Sequence, residues 1–313
     1  MKQFLTLDDL PHFEEQVALA KSIKSNPSHY QDLGKRKTLG LLFFNPSLRT
    51  RLSTQKAGRF LGMDVMVMNF SNEAWAIEYE DETIMEGLRS EHVKEAAQVV
   101  SQYCDVIGIR AFATLTDKGK DESEEVLQKF IEHANVPILN LESATAHPLQ
   151  ALADAITIDE LTLPKKPKIV LTWAPHPKAL PHAVGNSFSR MMQHIDADFV
   201  IANPKGYDLD SRITRNIPVI HDQDLALKDA DVVYAKNWSS YQSYGQILRT
   251  DDKWMLTTKK MNKTNNAVFM HCLPIRRNVV AADSVLDHPN SLVIQQANNR
   301  TFATASILKT ILT

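Results

Sequence analysis

The sequence predicts an α/β fold made of two doubly wound parallel-sheet domains with a cleft between them. Short apolar runs alternate with longer amphipathic stretches along the chain, and this alternation is typical of βαβ units in parallel sheets. The same alternation begins again after a polar segment at 163–168 that contains proline. The length, 313 residues, suits two domains or one large one, and the restart favours two.

The order of predicted elements follows from the apolar runs. The first series has predicted strands at 39–44, 64–70, 105–110 and 136–141 and helices at 47–61, 122–134 and 147–161. The second series has predicted strands at 169–174, 199–202, 232–235 and 268–272 and a last helix at 299–312. We therefore expect domains at 1–148 and 149–296, with residues 297–313 packing back on the first.

Composition excludes several classes of function. The formal net charge is -2, whereas nucleic-acid binders normally carry a basic surplus. The first residues hold no apolar signal core and no run reaches 18 apolar residues, so we expect a cytoplasmic protein that does not enter a membrane. The two cysteines, Cys104 and Cys272, suit a reducing compartment. Glycine-rich dinucleotide and phosphate loops and zinc-binding patterns are absent, so no cofactor and no metal are expected.

The first polar cluster follows the strand at 39–44, where ligands bind in open α/β sheets. Ser47 is a good N-cap for the helix that begins there, and free backbone N–H groups at a helix start attract anions. Thr50 adds a hydroxyl donor, and Arg49 adds a planar guanidinium group whose N–H donors suit phosphate oxygens. The cluster predicts an anion site, although a capped helix with a solvated arginine is the plainer alternative.

Two further positions follow predicted strands of the first domain. Pro148 fits the first position of a helix, so His147 and Gln150 can point across the cleft and donate to a carbonyl oxygen. Arg110 ends the strand at 105–110 and suits a phosphate or an oxyanion, as does Arg300 in the last helix. For each of these residues taken alone, a purely structural role is the alternative interpretation.

The segment His271-Cys272-Leu273-Pro274 follows an apolar strand of the second domain. Its backbone carbonyls, in a non-helical turn, are able to hold an N–H-bearing substrate. Neighbouring residues of a strand point to opposite faces, so a nucleophilic pair of Cys272 and His271 is disfavoured. A buried free cysteine is otherwise a small apolar side chain.

In the order of these motifs the chain resembles the carbamoyltransferase family, which includes the aspartate and ornithine transcarbamylases. The motifs are Ser47-Leu48-Arg49-Thr50, Arg110, His147-Pro148-Leu149-Gln150, His271-Cys272-Leu273-Pro274 and Arg300. The Asp-Ser-Met-Gly motif of ornithine enzymes is absent, and the chain is instead similar to the N-acylornithine transcarbamylases. The shared features are Phe44-Asn45-Pro46, Ala74-Trp75, Thr172-Trp173-Ala174-Pro175-His176-Pro177, Tyr234-Ala235-Lys236-Asn237-Trp238 and Arg276-Arg277.

The resemblance implies a carbamoyl-phosphate domain at 1–148, an acylated-amino-acid domain at 149–296 and a deep knot in the latter. It also implies a homotrimer with active sites shared between subunits, and a place in arginine biosynthesis. The carbamoyl-phosphate contacts it implies are Ser47, Leu48, Arg49, Thr50, Trp75 of the neighbouring subunit, Arg110, His147, Pro148, Leu149, Gln150, Cys272, Leu273 and Arg300.

Catalytic roles and the second substrate also come from the resemblance. Thr50, Arg110 and His147 are expected to stabilise the oxyanion, and Cys272 to receive the attacking amine. The acylornithine contacts it implies are Ser90, Glu142, His176, Lys236 and Arg276.

The acyl group depends on few positions. N-acetyl enzymes carry glutamate just before the Glu-His pair that is Glu91-His92 here, and N-succinyl enzymes carry proline; this chain has Ser90. A glutamate there repels the free carboxylate of a succinyl group, whereas serine does not. N-acetyl enzymes also tend to carry a lysine where this chain has Val280. N2-succinyl-L-ornithine is therefore the expected substrate, with N-acetyl-L-ornithine, plain ornithine and a non-catalytic anion-binding protein as alternatives.

Overall fold

The computed structural model describes residues 1–313, except for the side chains of residues 71 and 72. The chain forms two compact units. The first comprises 1–114, 119–156 and 300–313, and the second comprises 115–118 and 157–299. Each unit is built around a parallel sheet of five strands, so the predicted α/β fold with parallel sheets is confirmed.

The strands and helices alternate along the chain. The strands are β1 (Gln3–Phe4), β2 (Thr38–Phe43), β3 (Asp64–Asn69), β4 (Ile77–Glu78), β5 (Glu91–His92), β6 (Val106–Arg110), β7 (Ile138–Glu142), β8 (Lys168–Trp173), β9 (Asp198–Ala202), β10 (Val219–Ile220), β11 (Val232–Lys236) and β12 (Val268–Met270). The helices are α1 (Phe13–Ser25), α2 (Arg49–Phe60), α3 (Phe70–Glu73), α4 (Val93–Tyr103), α5 (Lys118–Ser123), α6 (Glu125–His133), α7 (Pro148–Asp159), α8 (Ala183–Met192), α9 (Ser211–Thr214), α10 (Gln223–Leu227), α11 (Thr258–Met261), α12 (Asp283–Leu286) and α13 (Val293–Leu312).

The sheet of the first unit has the strand order β1-β7-β6-β2-β3. Its central strands are continuous apolar runs because helices cover both faces of a doubly wound sheet. The register sets Phe43 opposite Arg110 and, after an irregularity at the end of β6, Arg110 opposite Glu142. The ends of three neighbouring strands are therefore level with one another, and the polar side chains that end β6 and β7, Arg110 and Glu142, meet there.

The sheet of the second unit has the order β10-β9-β8-β11-β12, again with parallel pairs. The register pairs Trp173 with Lys236 at the ends of β8 and β11. Trp173 is buried, and its indole nitrogen donates to the carbonyl of Trp238 at 2.9 Å. Residues expected to contact a substrate lie at or just after these strand ends.

Several element bounds differ from the sequence-based expectation. The helix expected at 122–134 is two helices, α5 and α6, separated at Glu124, where φ is 54°. The strand expected at 268–272 ends at Met270, and the last helix begins at Val293 rather than at residue 299. Helices α1, α4 and α8 are present without having been predicted. Over the described part of the chain, no helix combines the length and the apolar character needed to cross a bilayer.

Candidate active site

Five polar residues of the first unit form one contact network. Thr50 lies in the first turn of α2, Arg110 and Glu142 end β6 and β7, His147 directly precedes α7, and Arg300 lies within α13. All five are buried, with relative exposures of 9% or less. Charged side chains are rarely buried without partners, and here they are the partners of one another.

Arg110 binds the first polar turn through its guanidinium group. Its Nη1 donates to the carbonyls of Asn45 at 3.0 Å and Pro46 at 2.7 Å, and its side chain stacks 3.9 Å above the ring centre of Phe112. Burial lowers the pKa of Arg110 from its usual value, and the nearby charge of Arg49 lowers it further, while Glu142 raises it. The group remains a cation, since an arginine does not lose its proton in a protein.

Glu142 joins Arg110 to His147. One carboxylate oxygen, Oε2, lies 3.2 Å from Nη2 of Arg110 and 3.4 Å from Nε2 of His147. The structure thus sets Glu142 beside the residues expected to bind carbamoyl phosphate, although the resemblance implies that it contacts the other substrate. The carboxylate neutralises a buried arginine, which lowers the cost of burying either charge alone.

Arg300 completes the network. Its Nη2 donates to the hydroxyl of Thr50 at 2.5 Å and lies 3.3 Å from Nε2 of His147. Because arginine only donates, the contact with Arg300 needs a lone pair on Nε2, whereas the contact with Glu142 needs a proton there. One nitrogen does not do both at once, so the proton of His147 is coupled to the charges on either side of it.

The start of α2 corrects one sequence-based prediction. Ser47 was expected to cap this helix, but the N-cap is Leu48, whose side chain makes no capping hydrogen bond. Leu48 is 66% exposed, so its side chain is not part of the buried network. Arg49 and Thr50 are the first two residues of the helix, and the unsatisfied N–H groups of a first turn attract anions.

The start of α7 agrees with the predicted helix start. Pro148 is its first residue, and Leu149 and Gln150 are 1% exposed. The amide of Gln150 donates to Asp154 Oδ1 at 2.8 Å. Asp154 is fully buried and was not singled out from the sequence, although its spacing of four residues from Gln150 on a helix is the signal that identifies such a pair.

Trp75 and Ser90 lie on the exposed connection between α3 and α4, apart from the buried network. The indole nitrogen of Trp75 donates to Glu91 Oε2 at 2.6 Å, and the ring is 58% exposed. Ser90 is exposed, and its N–H donates to the carbonyl of Ala76 at 3.1 Å. The carboxylate of Glu78, bonded to Arg89, holds this connection in place together with strands β4 and β5.

In the second unit, His176 forms a cluster with two cations, Arg276 and Lys236. Nε of Arg276 lies 3.3 Å from Nε2 of His176. Burial lowers the pKa of His176, and the charges of Lys236 and Arg276 lower it further, while a hydrogen bond to the carbonyl of Lys178 acts in the opposite direction. A neutral histidine beside two cations suits an anionic group such as a carboxylate.

The turn after β12 is irregular. The Leu273–Pro274 peptide is cis and Leu273 has a φ of 57°, and the N–H of Leu273 donates to Nδ1 of His271 at 2.9 Å. Cys272 is 7% exposed. In the described part of the chain, no three His, Cys, Asp or Glu side chains are grouped to hold a metal ion.

Comparison with known proteins identifies relatives along the whole chain. The carbamoyl-P binding domain of aspartate/ornithine carbamoyltransferases matches residues 2–160, and their Asp/Orn binding domain matches residues 182–311. An N-succinylornithine carbamoyltransferase of Bacteroides fragilis (strain 638R) is 46% identical over 314 residues, covering 100% of this chain and 99% of the relative. An N-acetylornithine carbamoyltransferase of Xanthomonas campestris pv. campestris (strain ATCC 33913 / DSM 3586 / NCPPB 528 / LMG 568 / P 25) is 36% identical over 329 residues, covering 98% of this chain and 97% of the relative.

A solved structure is also closely similar. It is an N-acetyl-L-ornithine transcarbamylase mutant, with serine in place of a glutamate, complexed with carbamyl phosphate and N-succinyl-L-norvaline. Its TM-score is 0.91 at 35% identity, over 99% of this chain and 100% of the other.

Proposed function

The chain belongs to the aspartate/ornithine carbamoyltransferase family, and from that premise we propose that it transfers the carbamoyl group of carbamoyl phosphate to the δ-amine of N2-succinyl-L-ornithine. The products are N-succinyl-L-citrulline and phosphate, and the proposed pathway is arginine biosynthesis. The observation that carries the proposal is the buried network of the first unit, in which Thr50, Arg110, Glu142, His147 and Arg300 lie within hydrogen-bond or ion-pair distance of one another.

The first unit holds the donor substrate in this proposal. Carbamoyl phosphate is an anion, and Arg49 and Arg110 with the N-terminus of α2 supply positive charge and N–H donors for its phosphate. Ser47 and the backbone of Leu48 contribute to the same turn. Gln150 and Arg300 orient the carbamoyl end, and the backbone of Pro148 and Leu149 sets where α7 starts.

The chemical step is an addition followed by an elimination. The δ-amine attacks as the neutral form and bonds to the carbamoyl carbon, and the carbonyl electron pair moves to oxygen. Thr50, Arg110 and His147 stabilise that oxyanion, and each such donor is worth roughly 2.7–4 kcal/mol in the transition state. The oxyanion electron pair then re-forms the carbonyl as the bond from carbon to the phosphate oxygen breaks, and the departing phosphate takes up the extra proton of the amine. Catalysis consists of positioning and charge stabilisation.

The second unit holds the acylated amino acid in this proposal. Lys236 and Arg276 bind its α-carboxylate, and His176, with a pKa below its usual value, remains neutral beside them. Glu142 of the first unit accepts from the amide N–H. Cys272 and the carbonyl of Leu273 receive and orient the δ-amine. The site as a whole must favour the unprotonated amine, since an alkylamine is otherwise mostly charged near pH 7.

The residue at position 90 supports the succinyl group. Serine carries no charge, so it does not repel the free carboxylate of a succinyl chain as a glutamate does. The N-acetyl-L-ornithine transcarbamylase with a glutamate replaced by serine has N-succinyl-L-norvaline in its complex, so a serine-bearing site of this family accommodates a succinyl group. The relative at 46% identity is an N-succinylornithine carbamoyltransferase. N-acetyl-L-ornithine is the second candidate substrate, because a relative at 36% identity is named an N-acetylornithine carbamoyltransferase.

We also propose a homotrimer in which Trp75 reaches the phosphate of a neighbouring subunit. Strand β3 is an edge of its sheet, and Met66, Met68, Leu52 and Leu48 are apolar and 39–66% exposed. Exposed apolar groups of this kind mark contact surfaces. The deep knot in the second unit stays a prediction.

A substrate panel tests the function. Purified protein is incubated with carbamoyl phosphate and, in separate reactions, N-succinyl-L-ornithine, N-acetyl-L-ornithine or L-ornithine, and both the ureido product and phosphate are measured. We expect kcat/KM to be highest for N-succinyl-L-ornithine. A higher value for the acetyl compound selects the second candidate, and the absence of phosphate release with all three amines favours a non-catalytic anion-binding protein.

A further inference from the structure

One side chain outside the candidate active site holds the loop that leads into His147. This loop, residues 143–147, connects β7 to α7. Glu142 lies at its start and His147 at its end, so the loop determines how far apart these two groups lie. Glu124 lies at the junction of α5 and α6 and binds this loop. It precedes the loop residues that it contacts by 19 to 21 positions in the chain.

The carboxylate of Glu124 accepts four hydrogen bonds from three consecutive loop residues. Its Oε1 accepts from Ser143 Oγ at 2.7 Å, Thr145 N at 2.8 Å and Thr145 Oγ1 at 2.5 Å. Its Oε2 accepts from Ala144 N at 3.1 Å. The loop is also closed on itself, because the N–H of Ser143 donates to the carbonyl of Ala146 at 2.8 Å. One carboxylate thereby satisfies four donors of this segment.

The backbone at Glu124 is unusual in a way that fits this role. Its φ of 54° and ψ of 37° are left-handed, a conformation that a non-glycine residue rarely adopts and keeps only where its surroundings impose it. Glu124 separates α5, which ends at Ser123, from α6, which begins at Glu125. The residue at this break is the one whose carboxylate binds the loop.

We propose that Glu124 is a positioning residue, which fixes the loop 143–147 so that His147 faces Arg300 and Glu142 at hydrogen-bond distance. Its effect on catalysis rests on the proposed carbamoyl transfer. His147 donates to the developing oxyanion there, and a misplacement of about 1 Å in such a group reduces the rate by roughly 10²-fold. Glu124 acts through the loop and touches no substrate.

A carboxylate suits this place because each of its oxygens accepts from a backbone N–H, which only donates: Oε1 from Thr145 and Oε2 from Ala144. Glutamine has the same shape, but one of its two terminal atoms is an NH2 group, which only donates. In Glu124→Gln that group faces a loop donor in either orientation. The isosteric variant therefore disturbs the loop without removing the side chain, and Glu132→Gln is its matched control. Glu132 lies on α6, is exposed and pairs with Lys129 at 3.4 Å.

The test compares Glu124→Gln with Glu132→Gln in two measurements. Steady-state kinetics separate kcat from the KM for carbamoyl phosphate, and hydrogen–deuterium exchange of the full-length protein follows the peptide that contains residues 143–147. We expect Glu124→Gln to lower kcat about 10- to 100-fold with less than a threefold change in KM and to speed exchange of the loop. Glu132→Gln is expected to change neither. A kcat within twofold of wild type, or unchanged loop exchange, overturns the proposal.

Two further variants cover other outcomes. If Glu124→Gln does not fold, Ser143→Ala and Thr145→Val each remove one hydroxyl donor, and wild-type kcat in both overturns the proposal, whereas a reduced kcat in either supports it. If the wild-type protein transfers no carbamoyl group, the proposed function fails. Loop exchange then decides the positioning role alone, supporting it if Glu124→Gln speeds exchange and overturning it if the loop is unchanged.

Discussion

Replacement of Arg110 by methionine tests the buried network most directly. The side chains of Arg110 and Glu142 are 7% and 12% exposed and lie 3.2 Å apart. Removal of the arginine leaves a carboxylate that contacts His147 at 3.4 Å but has lost its permanent cation. Breaking a buried ion pair in this way costs about 3–5 kcal/mol. We expect Arg110→Met to lower the free energy of unfolding by that amount.

The single variant Glu142→Gln and its combination with Arg110→Met allow the energies to be compared. Glu142→Gln leaves Arg110 bonded to the carbonyls of Asn45 and Pro46, so its cost is smaller, about 1–2 kcal/mol. The double variant contains no orphaned carboxylate, and its cost is therefore less than the sum of the two single costs by about 1–3 kcal/mol. In Arg110→Met, protonation removes the charge of the Glu142 carboxylate. The loss in the free energy of unfolding relative to wild type therefore becomes smaller as the pH falls.

Urea unfolding followed by circular dichroism measures these free energies, with a separate transition fitted for each unit where two are seen. Arg59→Met, which replaces an exposed arginine on α2, is the control and is expected to stay within about 0.5 kcal/mol of wild type. Activity is expected to fall about 10²- to 10³-fold in Arg110→Met, because an oxyanion donor is lost. An Arg110→Met protein as stable as wild type, or additive costs in the double variant, would refute the account of the network.

Four other predictions concern the two units separately. Arg49→Ala should reduce kcat/KM for carbamoyl phosphate about 10- to 100-fold, as expected for a lost charge-assisted hydrogen bond; Arg51→Ala is the control, and equal losses in both would contradict a specific role. Ser90→Glu should lower kcat/KM for N-succinyl-L-ornithine about tenfold or more through charge repulsion and leave N-acetyl-L-ornithine little affected; an unchanged preference removes position 90 from the acyl site. Leu52→Glu should shift the mass measured by light scattering from that of the proposed trimer to that of smaller species, and an unaltered mass excludes the exposed face around it from the interface. His176 should titrate by NMR below the ordinary histidine pKa, because burial and two cations disfavour its charged form; that depressed pKa means stability is lost as the pH falls, and a normal or raised pKa would contradict the cluster.

The general fold was predictable because strand burial leaves a strong pattern. Continuous apolar runs mark central parallel strands, and the polar residues at their ends mark the edge where ligands bind. Arg110 and His147 were singled out in this way, and the structure brings them into one network with Thr50 and Arg300. Glu142 was named from the family resemblance alone, since a glutamate at the end of a strand is unremarkable until its neighbours are known.

The remaining differences come from contacts between distant parts of the chain. Helix α13 begins before the predicted position, and Asn299 within it donates to Thr157 at 3.0 Å and to Glu160 at 3.1 Å. Such partners stabilise a helix whose local sequence is rich in asparagine. The break at Glu124 has the same origin, because its carboxylate binds a loop about 20 residues later. Local periodicity contains no information about either contact.

The bond between Thr50 and Arg300 joins residues 250 positions apart. During synthesis, the strands of both sheets are therefore made before Arg300, the residue that contacts Thr50 and His147. A nascent chain that stops short of α13 retains Arg49, Arg110 and His147 but lacks the guanidinium that bridges Thr50 to His147. We therefore expect a chain that lacks α13 to be defective in the proposed carbamoyl transfer even where both of its sheets have formed.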